Sequence, residues 1–209
     1  MRIKVCGLTR QQDADAVARL GVDFCGFIFH PASPRHITPQ AAAAIDTAGM
    51  ARVGVFVEQD ADEILAVMQE ARLDFAQLHG AQDGACAGRI GAGRVIRVLW
   101  PERYAGRGEL EAIMEAHAAA CAWFLLEAGQ SGGGSGQQQD WSRLRGLRAP
   151  RPWLLAGGLT PANAVHAALA SRPDGLDFNS GVEEAPGQKS PQLLGAAVTA
   201  VSGISREKL

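Results

Sequence analysis

The sequence lacks the features that commit a chain to several large classes. Its longest unbroken apolar run, residues 118–126, is nine residues, too short to span a bilayer. The opening Met1-Arg2-Ile3-Lys4-Val5 does not resemble a secretory signal. An excess of one charge is also missing: 20 Lys and Arg stand against 22 Asp and Glu, a formal net charge of −2. That balance gives no electrostatic case for nucleic acid or an anionic membrane surface as the main partner. Cysteine is sparse, and no two of Cys6, Cys25, Cys86 and Cys121 are spaced as a metal knuckle or a redox CxxC pair. They read as reduced thiols of a cytoplasmic protein. His30, His36, His117 and His166 have no metal-ligand spacing, so no metal is expected.

What is present is a regular rhythm. The 209 residues are 47% hydrophobic and 20% charged, enough for one large domain or two small ones. Short apolar runs recur at residues 3–6, 24–29, 53–57, 75–78, 94–99, 122–126, 153–156 and 176–178. Several lack alternation, as strands buried on both faces do. Their starts are 19 to 31 residues apart, which leaves room for a loop, a helix and a second loop. Helix signals occupy the gaps. Thr9-Arg10-Gln11-Gln12 and Asp60 to Glu63 have the form of capping boxes, followed by apolar faces at Ala14, Val17, Ala18 and at Ile64, Val67, Met68. Thr38-Pro39, Thr160-Pro161 and Ser190-Pro191 each place a capping hydroxyl before a first-turn proline, and Gly21 can end the first helix. Strand–helix alternation repeated eight times implies a parallel α/β sheet with right-handed crossovers, and eight units fit a closed (β/α)8 barrel near minimal size. An open doubly wound sheet is the rival, but no GxGxxG or P-loop follows a strand. No linker or composition shift marks a second domain, so residues 1–209 are expected to form one.

Many of the 25 glycines fall just after the expected strands: Gly7, Gly80, residues 129–136, Gly157 and Gly158, and Gly181. In a barrel these share the C-terminal rim, where active sites lie. Ala156-Gly157-Gly158-Leu159 and Asn179-Ser180-Gly181-Val182 follow the last two strands. Their backbone N–H groups could cradle a phosphate, or the glycines could simply make tight turns; two adjacent loops favour the cradle. Cys6 at the first strand end is either a base or nucleophile, or a small buried hydrophobe. Glu127 ends the sixth apolar run, where partial desolvation would raise its pKa and suit a general acid; the alternative is a solvated loop carboxylate. Arg35 could recognise a carboxylate or be an ordinary surface arginine. His79 could donate to a substrate oxygen or hold a loop.

Taken in order, these blocks resemble one family, phosphoribosylanthranilate isomerase of tryptophan biosynthesis. The resemblance runs nearly end to end: Lys4-Val5-Cys6-Gly7-Leu8-Thr9, Gly26-Phe27-Ile28-Phe29 with Ser33-Pro34-Arg35, Val53-Gly54-Val55-Phe56, and Gln77-Leu78-His79-Gly80. It continues through Gly134-Ser135-Gly136 with Asp140-Trp141, Leu155-Ala156-Gly157-Gly158-Leu159, and Leu176-Asp177-Phe178-Asn179-Ser180-Gly181-Val182-Glu183. It implies an Amadori rearrangement of a phosphorylated small-molecule substrate without cofactor. Cys6 would then be the base, Glu127 the acid, the two glycine loops the phosphate site and Arg35 the partner of the anthranilate carboxylate. A monomer and a homodimer are both compatible with the resemblance. It departs at one place. The family usually carries Asp where Glu127 stands, an extra methylene that moves the carboxyl by roughly one ångström. The loop from Ala128 to Asp140 also looks longer than in familiar members, and Gln139 replaces an aromatic. This motivates an alternative, a catalytically impaired isomerase-like barrel that binds a phosphorylated ligand. A third reading, a dual histidine/tryptophan-type isomerase, would need a second phosphate site in the opposite half. Residues 132–136 are expected to be mobile when the site is empty and more ordered with ligand.

Overall fold

A computed structural model describes residues 1–127 and 140–204. The chain runs β1 (Arg2–Val5), α1 (Gln11–Arg19), β2 (Phe24–Ile28), α2 (Pro39–Ala44), β3 (Ala51–Phe56), α3 (Ala61–Glu70), β4 (Phe75–Leu78), α4 (Gly84–Ile90), β5 (Val95–Leu99), α5 (Arg107–His117) and β6 (Trp123–Glu127). It continues through β7 (Trp153–Ala156), α6 (Ala164–Ser171), β8 (Gly175–Phe178), a hairpin of β9 (Glu183–Ala185) and β10 (Gln188–Lys189), and α7 (Pro191–Ser202). Strands β1 to β8 pair in order and β8 pairs back to β1, closing the expected parallel barrel.

Strand period two divides the apolar residues into two cores. One face of the strands, with Val5, Cys25, Phe27, Phe56 and Leu155, packs against the helices. The other face fills the barrel lumen with Phe24, Val53, Ile96, Val98, Leu125, Leu154 and Ala156. Phe24 meets Phe75 and Trp123 edge-on at centroid distances of 6.0 and 5.6 Å. Phe24, Phe75 and Trp123 begin or nearly begin their strands, so this aromatic group plugs the N-terminal end.

Three helix starts follow the expected caps: Asp60 forms a full capping box with Glu63, Thr38 accepts from Ala41 N–H, and Ser190 accepts from Leu193 N–H. Two do not. Thr9 does not cap α1; its Oγ1 donates to Gly187 O at 2.7 Å, and Arg10 occupies the cap without a side-chain bond. The hydroxyl is taken by the hairpin at the far end of the chain. Helix α6 starts at Ala164 rather than at Pro161, because Asn163 Oδ1 accepts from Thr160 N–H and holds residues 160–163 as a turn. The sixth crossover also departs from strict alternation. Among its described residues it holds only a 3-10 turn, Trp141–Leu144. Gly146, at φ 73°, then breaks any helical continuation, and Pro150 and Pro152 disfavour a restart.

Arg52 joins the barrel to two helix ends. From β3 its guanidinium donates to Ala42 O and Ile45 O at the end of α2 and to Ala71 O at the end of α3. A cation suits carbonyls left over at helix C-termini. Replacing it by Met removes the arginine donor from Ile45 O and Ala71 O and leaves Ala42 O with the Ile45 N–H alone. We expect Arg52→Met to cost about 3 kcal/mol of unfolding free energy in urea titration with the site chemistry intact. An unchanged urea midpoint would remove this role.

Candidate active site

The C-terminal mouth of the barrel opens into a cavity of about 290 Å³. Cys6, Arg35, His79, Glu127, Gly157, Gly158, Asn179, Ser180 and Gly181 all line it. The nine side chains and loops singled out in the sequence are thus brought together on one face.

Cys6 is the first residue beyond β1 and continues its inward phase; its N–H donates to Phe178 O at 2.8 Å. Gly26 on β2 gives it room. A Cβ at Gly26 would lie 2.8 Å from Cys6 Sγ and 3.0 Å from Cys6 Cα. Burial pushes the Cys6 thiol above its ordinary pKa; the Lys4 ammonium is the largest influence in the other direction. Lys4, two residues earlier on the same face, is fully buried and binds Asp177 Oδ2 at 2.8 Å. Burial is the largest influence and opposes the charge on Lys4, but Asp177 and Cys6 together outweigh it and raise its pKa. Burial also pushes the Asp177 carboxyl up, with Lys4 as the main counterweight.

Glu127 closes β6, three strands round the ring from Cys6. Burial, and then the negative charge of Asp177, raise its carboxyl to about 7. A group with that value is both protonated and ionised near neutral pH, as a general acid requires. His79, just past β4, is lowered to about 4 by burial and then by Lys4, so its imidazole is neutral. It stands edge-on to Trp100 at 5.2 Å.

The rim between β6 and β1 carries the glycine loops. Gly157 and Gly158 have φ of 95° and 62°, a conformation that side chains other than glycine rarely adopt. Gly158, Ser180 and Gly181 line the cavity beside this rim, and backbone N–H groups of such glycine turns suit an anion. Arg35 is held from the opposite side. Its Nε and Nη2 donate to the Glu183 carboxylate at 3.0 and 2.7 Å, and Lys189 Nζ reaches the same carboxylate at 2.7 Å and Asn179 Oδ1 at 3.0 Å. Its Nε edge is therefore already used inside the protein.

Sequence reasoning missed part of this site. Four buried side-chain atoms without a partner, His30 Nδ1, Gln77 Oε1, His79 Nδ1 and Asp177 Oδ1, belong to residues lining this one cavity. Of the four, only His79 was singled out. Opposite charges inside two buried strands, Lys4 and Asp177, were the available signal, since β1 and β8 must be neighbours in a closed barrel. The Pro186-Gly187 dipeptide marks the turn of the β9–β10 hairpin, which supplies Glu183 and Lys189. Residues 132–136, the expected mobile segment, lie outside the described residues. Among the described residues no group of three or more His, Cys, Asp or Glu could hold a metal ion, and no helix is long and apolar enough to cross a membrane.

Fold and site together define a (β/α)8-barrel enzyme with its chemistry at the C-terminal mouth. A family profile described as N-(5'phosphoribosyl)anthranilate (PRA) isomerase matches residues 3–200, and the chain belongs to that family of isomerases. It is 60% identical over 198 residues to an N-(5'-phosphoribosyl)anthranilate isomerase of Desulfovibrio desulfuricans, covering 95% of this chain and 94% of that one. The crystal structure of phosphoribosyl anthranilate isomerase from Thermotoga maritima superposes with a TM-score of 0.86 at 31% identity, over 98% of this chain and 100% of that one. A crystal structure of the isomerase in complex with reduced 1-(o-carboxyphenylamino)-1-deoxyribulose 5-phosphate gives 0.83 at 30% identity, with the same coverage.

Two predictions arise from this geometry. Gly26→Ala forces Cys6 to shift, because its new methyl meets Cys6 backbone as well as sulfur. We expect isomerase turnover to fall about tenfold or more while the thermal midpoint changes by only a few degrees; unchanged turnover would show that the Cys6 position does not matter. The second concerns Glu127, whose carboxyl goes from 4.5 ordinarily to about 7 in the fold. Between those values the native state keeps a proton that the unfolded chain releases, so stability falls as pH rises through this window. The loss is about 3 kcal/mol. Glu127→Gln should abolish it, leaving the variant more stable than the parent at pH 8 but not at pH 4. Parallel stability–pH curves for the two proteins would refute the assignment.

Proposed function

We propose that residues 1–209 form one cytoplasmic domain that converts N-(5-phospho-β-D-ribosyl)anthranilate to 1-(2-carboxyphenylamino)-1-deoxy-D-ribulose 5-phosphate in tryptophan biosynthesis. No cofactor is required by this chemistry. The observation that carries the reading is a thiol and a desolvated carboxyl on separate walls of one cavity, with two glycine-containing loops on the rim between them.

Protonated Glu127 gives its proton to the furanose ring oxygen. The ring C–O bond breaks as the nitrogen lone pair forms the Schiff base. Cys6 thiolate takes the proton from C2′, and the electron pair moves to the C1′–N unit as an enolamine. Protonation at C1′ with loss of the enol proton yields the ketone. The N–H groups after β7 and β8, with Asn179, hold the phosphate. Arg35, kept in place by Glu183, meets the anthranilate carboxylate through its remaining amino group. Neutral His79 offers a hydrogen bond to a substrate oxygen.

The pKa directions fix the pH dependence. The active form pairs a thiolate with a carboxylic acid, whereas burial favours the thiol. Below about 7 Glu127 is protonated, so reaching the active form requires proton release and the rate climbs with pH. Above it, Glu127 has ionised and the active form arises by redistributing one proton, so the rate levels off. We therefore expect kcat/KM to rise about tenfold per pH unit in acid and to flatten near neutrality. Cys6→Ala and Glu127→Gln should each lose about 10²–10⁴-fold in rate. Full activity in Glu127→Gln would sink the acid assignment. Growth of a tryptophan auxotroph lacking the isomerase tests the activity directly. No rescue by this chain, with rescue by Glu127→Asp, would make it instead a ligand-binding barrel.

A further inference from the structure

Asp177 sits at an inward position of β8, directly opposite Lys4 in the β1–β8 register. Its Oδ2 is bound to Lys4 Nζ at 2.8 Å, while Oδ1 is buried and has no partner, and the residue lines the cavity. An acceptor left unmet in a buried position is costly, so a donor from the ligand has a defined place here. The chemistry of that donor can be narrowed. A phosphate or carboxylate has none to offer and is repelled. A cation is redundant, because Lys4 already supplies the positive charge. The anthranilate N–H lies beside its own ortho-carboxylate, an internal acceptor. Sugar hydroxyls remain: neutral donors, on the part of the molecule that lies between the phosphate and the aryl ring.

We propose that Asp177 is a substrate-binding residue whose Oδ1 accepts a hydrogen bond from a hydroxyl of the sugar chain held between Cys6 and Glu127. The assignment rests on the substrate class argued above. Gln77 is also unpartnered in this cavity, but a carboxamide can donate or accept, so it does not select the ligand in the same way. Asp177 also acts through its Lys4 contact. The pair carries no net charge, so the carboxylate can face a sugar without presenting an isolated anion to the phosphate end.

The test compares two probes by titration calorimetry. One is reduced 1-(o-carboxyphenylamino)-1-deoxyribulose 5-phosphate. The other is an analogue with the same aryl carboxylate, amine and phosphate on an unsubstituted five-carbon chain. Lys4→Met with Asp177→Leu removes both charges at similar volume and leaves no unpaired ion. The double variant should bind the hydroxylated probe about tenfold or more weakly, while the hydroxyl-free probe changes less than about threefold. Equal losses for both probes overturn the proposal, because a purely structural role weakens them alike. If the double variant does not fold, the crystal complex of the unaltered protein with the hydroxylated probe decides. A ligand hydroxyl within hydrogen-bond distance of Oδ1 supports the proposal, and a water or no donor there overturns it. If neither probe binds the unaltered protein, the substrate reading falls first and this inference with it.

Discussion

Lys4 and Asp177 meet at 2.8 Å across the seam where β8 returns to β1, and both are almost completely withdrawn from solvent. Burying two charges is expensive, and such a pair adds little to stability compared with an apolar substitute. Its consequence here is local. Around it the lumen changes from an apolar plug, with Val53, Ile96 and Leu125, to a polar cavity. Lys4 draws Cys6 toward its thiolate and restrains the rise of Glu127, while Asp177 acts on both in the opposite direction. The two groups on separate walls therefore feel one field, set by the same two residues.

A second charged cluster fixes the mouth. Glu183 is held by Arg35 from the loop after β2 and by Lys189 from β10. Those two cations keep its carboxyl below the ordinary value even though burial pushes upward. Lys189 also grips Asn179 beyond β8, and Gly187 accepts from Thr9 beyond β1. The β9–β10 hairpin thus ties together the loops after β1, β2 and β8. A long arginine would otherwise lose much rotamer entropy on meeting a ligand; here the protein has ordered it in advance.

The barrel was readable because its strands are short, buried on both faces and evenly spaced, so apolar runs alone located them. The rim residues followed, since a parallel barrel puts every strand's end on one face. What escaped were features set by distant partners. Thr9 has the pattern of a cap, but a carbonyl 178 residues away claims its hydroxyl. Asn163 overrides the Thr160-Pro161 start by holding the turn before α6. Lys4 and Asp177 sit in otherwise apolar strands, and neither announces its role without the closure that makes β1 and β8 neighbours. Local patterns reveal elements; the pairing of buried polar groups depends on the ring being closed.

The ring also explains why the proposed acid and base come from these strands. Proceeding from β6 through β7 and β8 to β1, the wall presents Glu127, the Gly157–Gly158 turn, the Asn179–Gly181 loop and then Cys6. The proposed anion cradle lies on the arc between the two proposed proton-transfer groups. A phosphate held there would direct the rest of a sugar across the lumen, past both groups, toward Arg35 beyond β2. With a ligand anchored at its charged end, the separation of the proposed acid and base becomes useful: one would reach the ring oxygen and the other the adjacent carbon, without the two groups neutralising each other by direct contact. In that arrangement the longer side chain of Glu127 matters less for its identity as an acid than for where its carboxyl meets the anchored ring. Rate should therefore respond more steeply to its position than to its pKa, because a misplaced acid loses the benefit of the anchor.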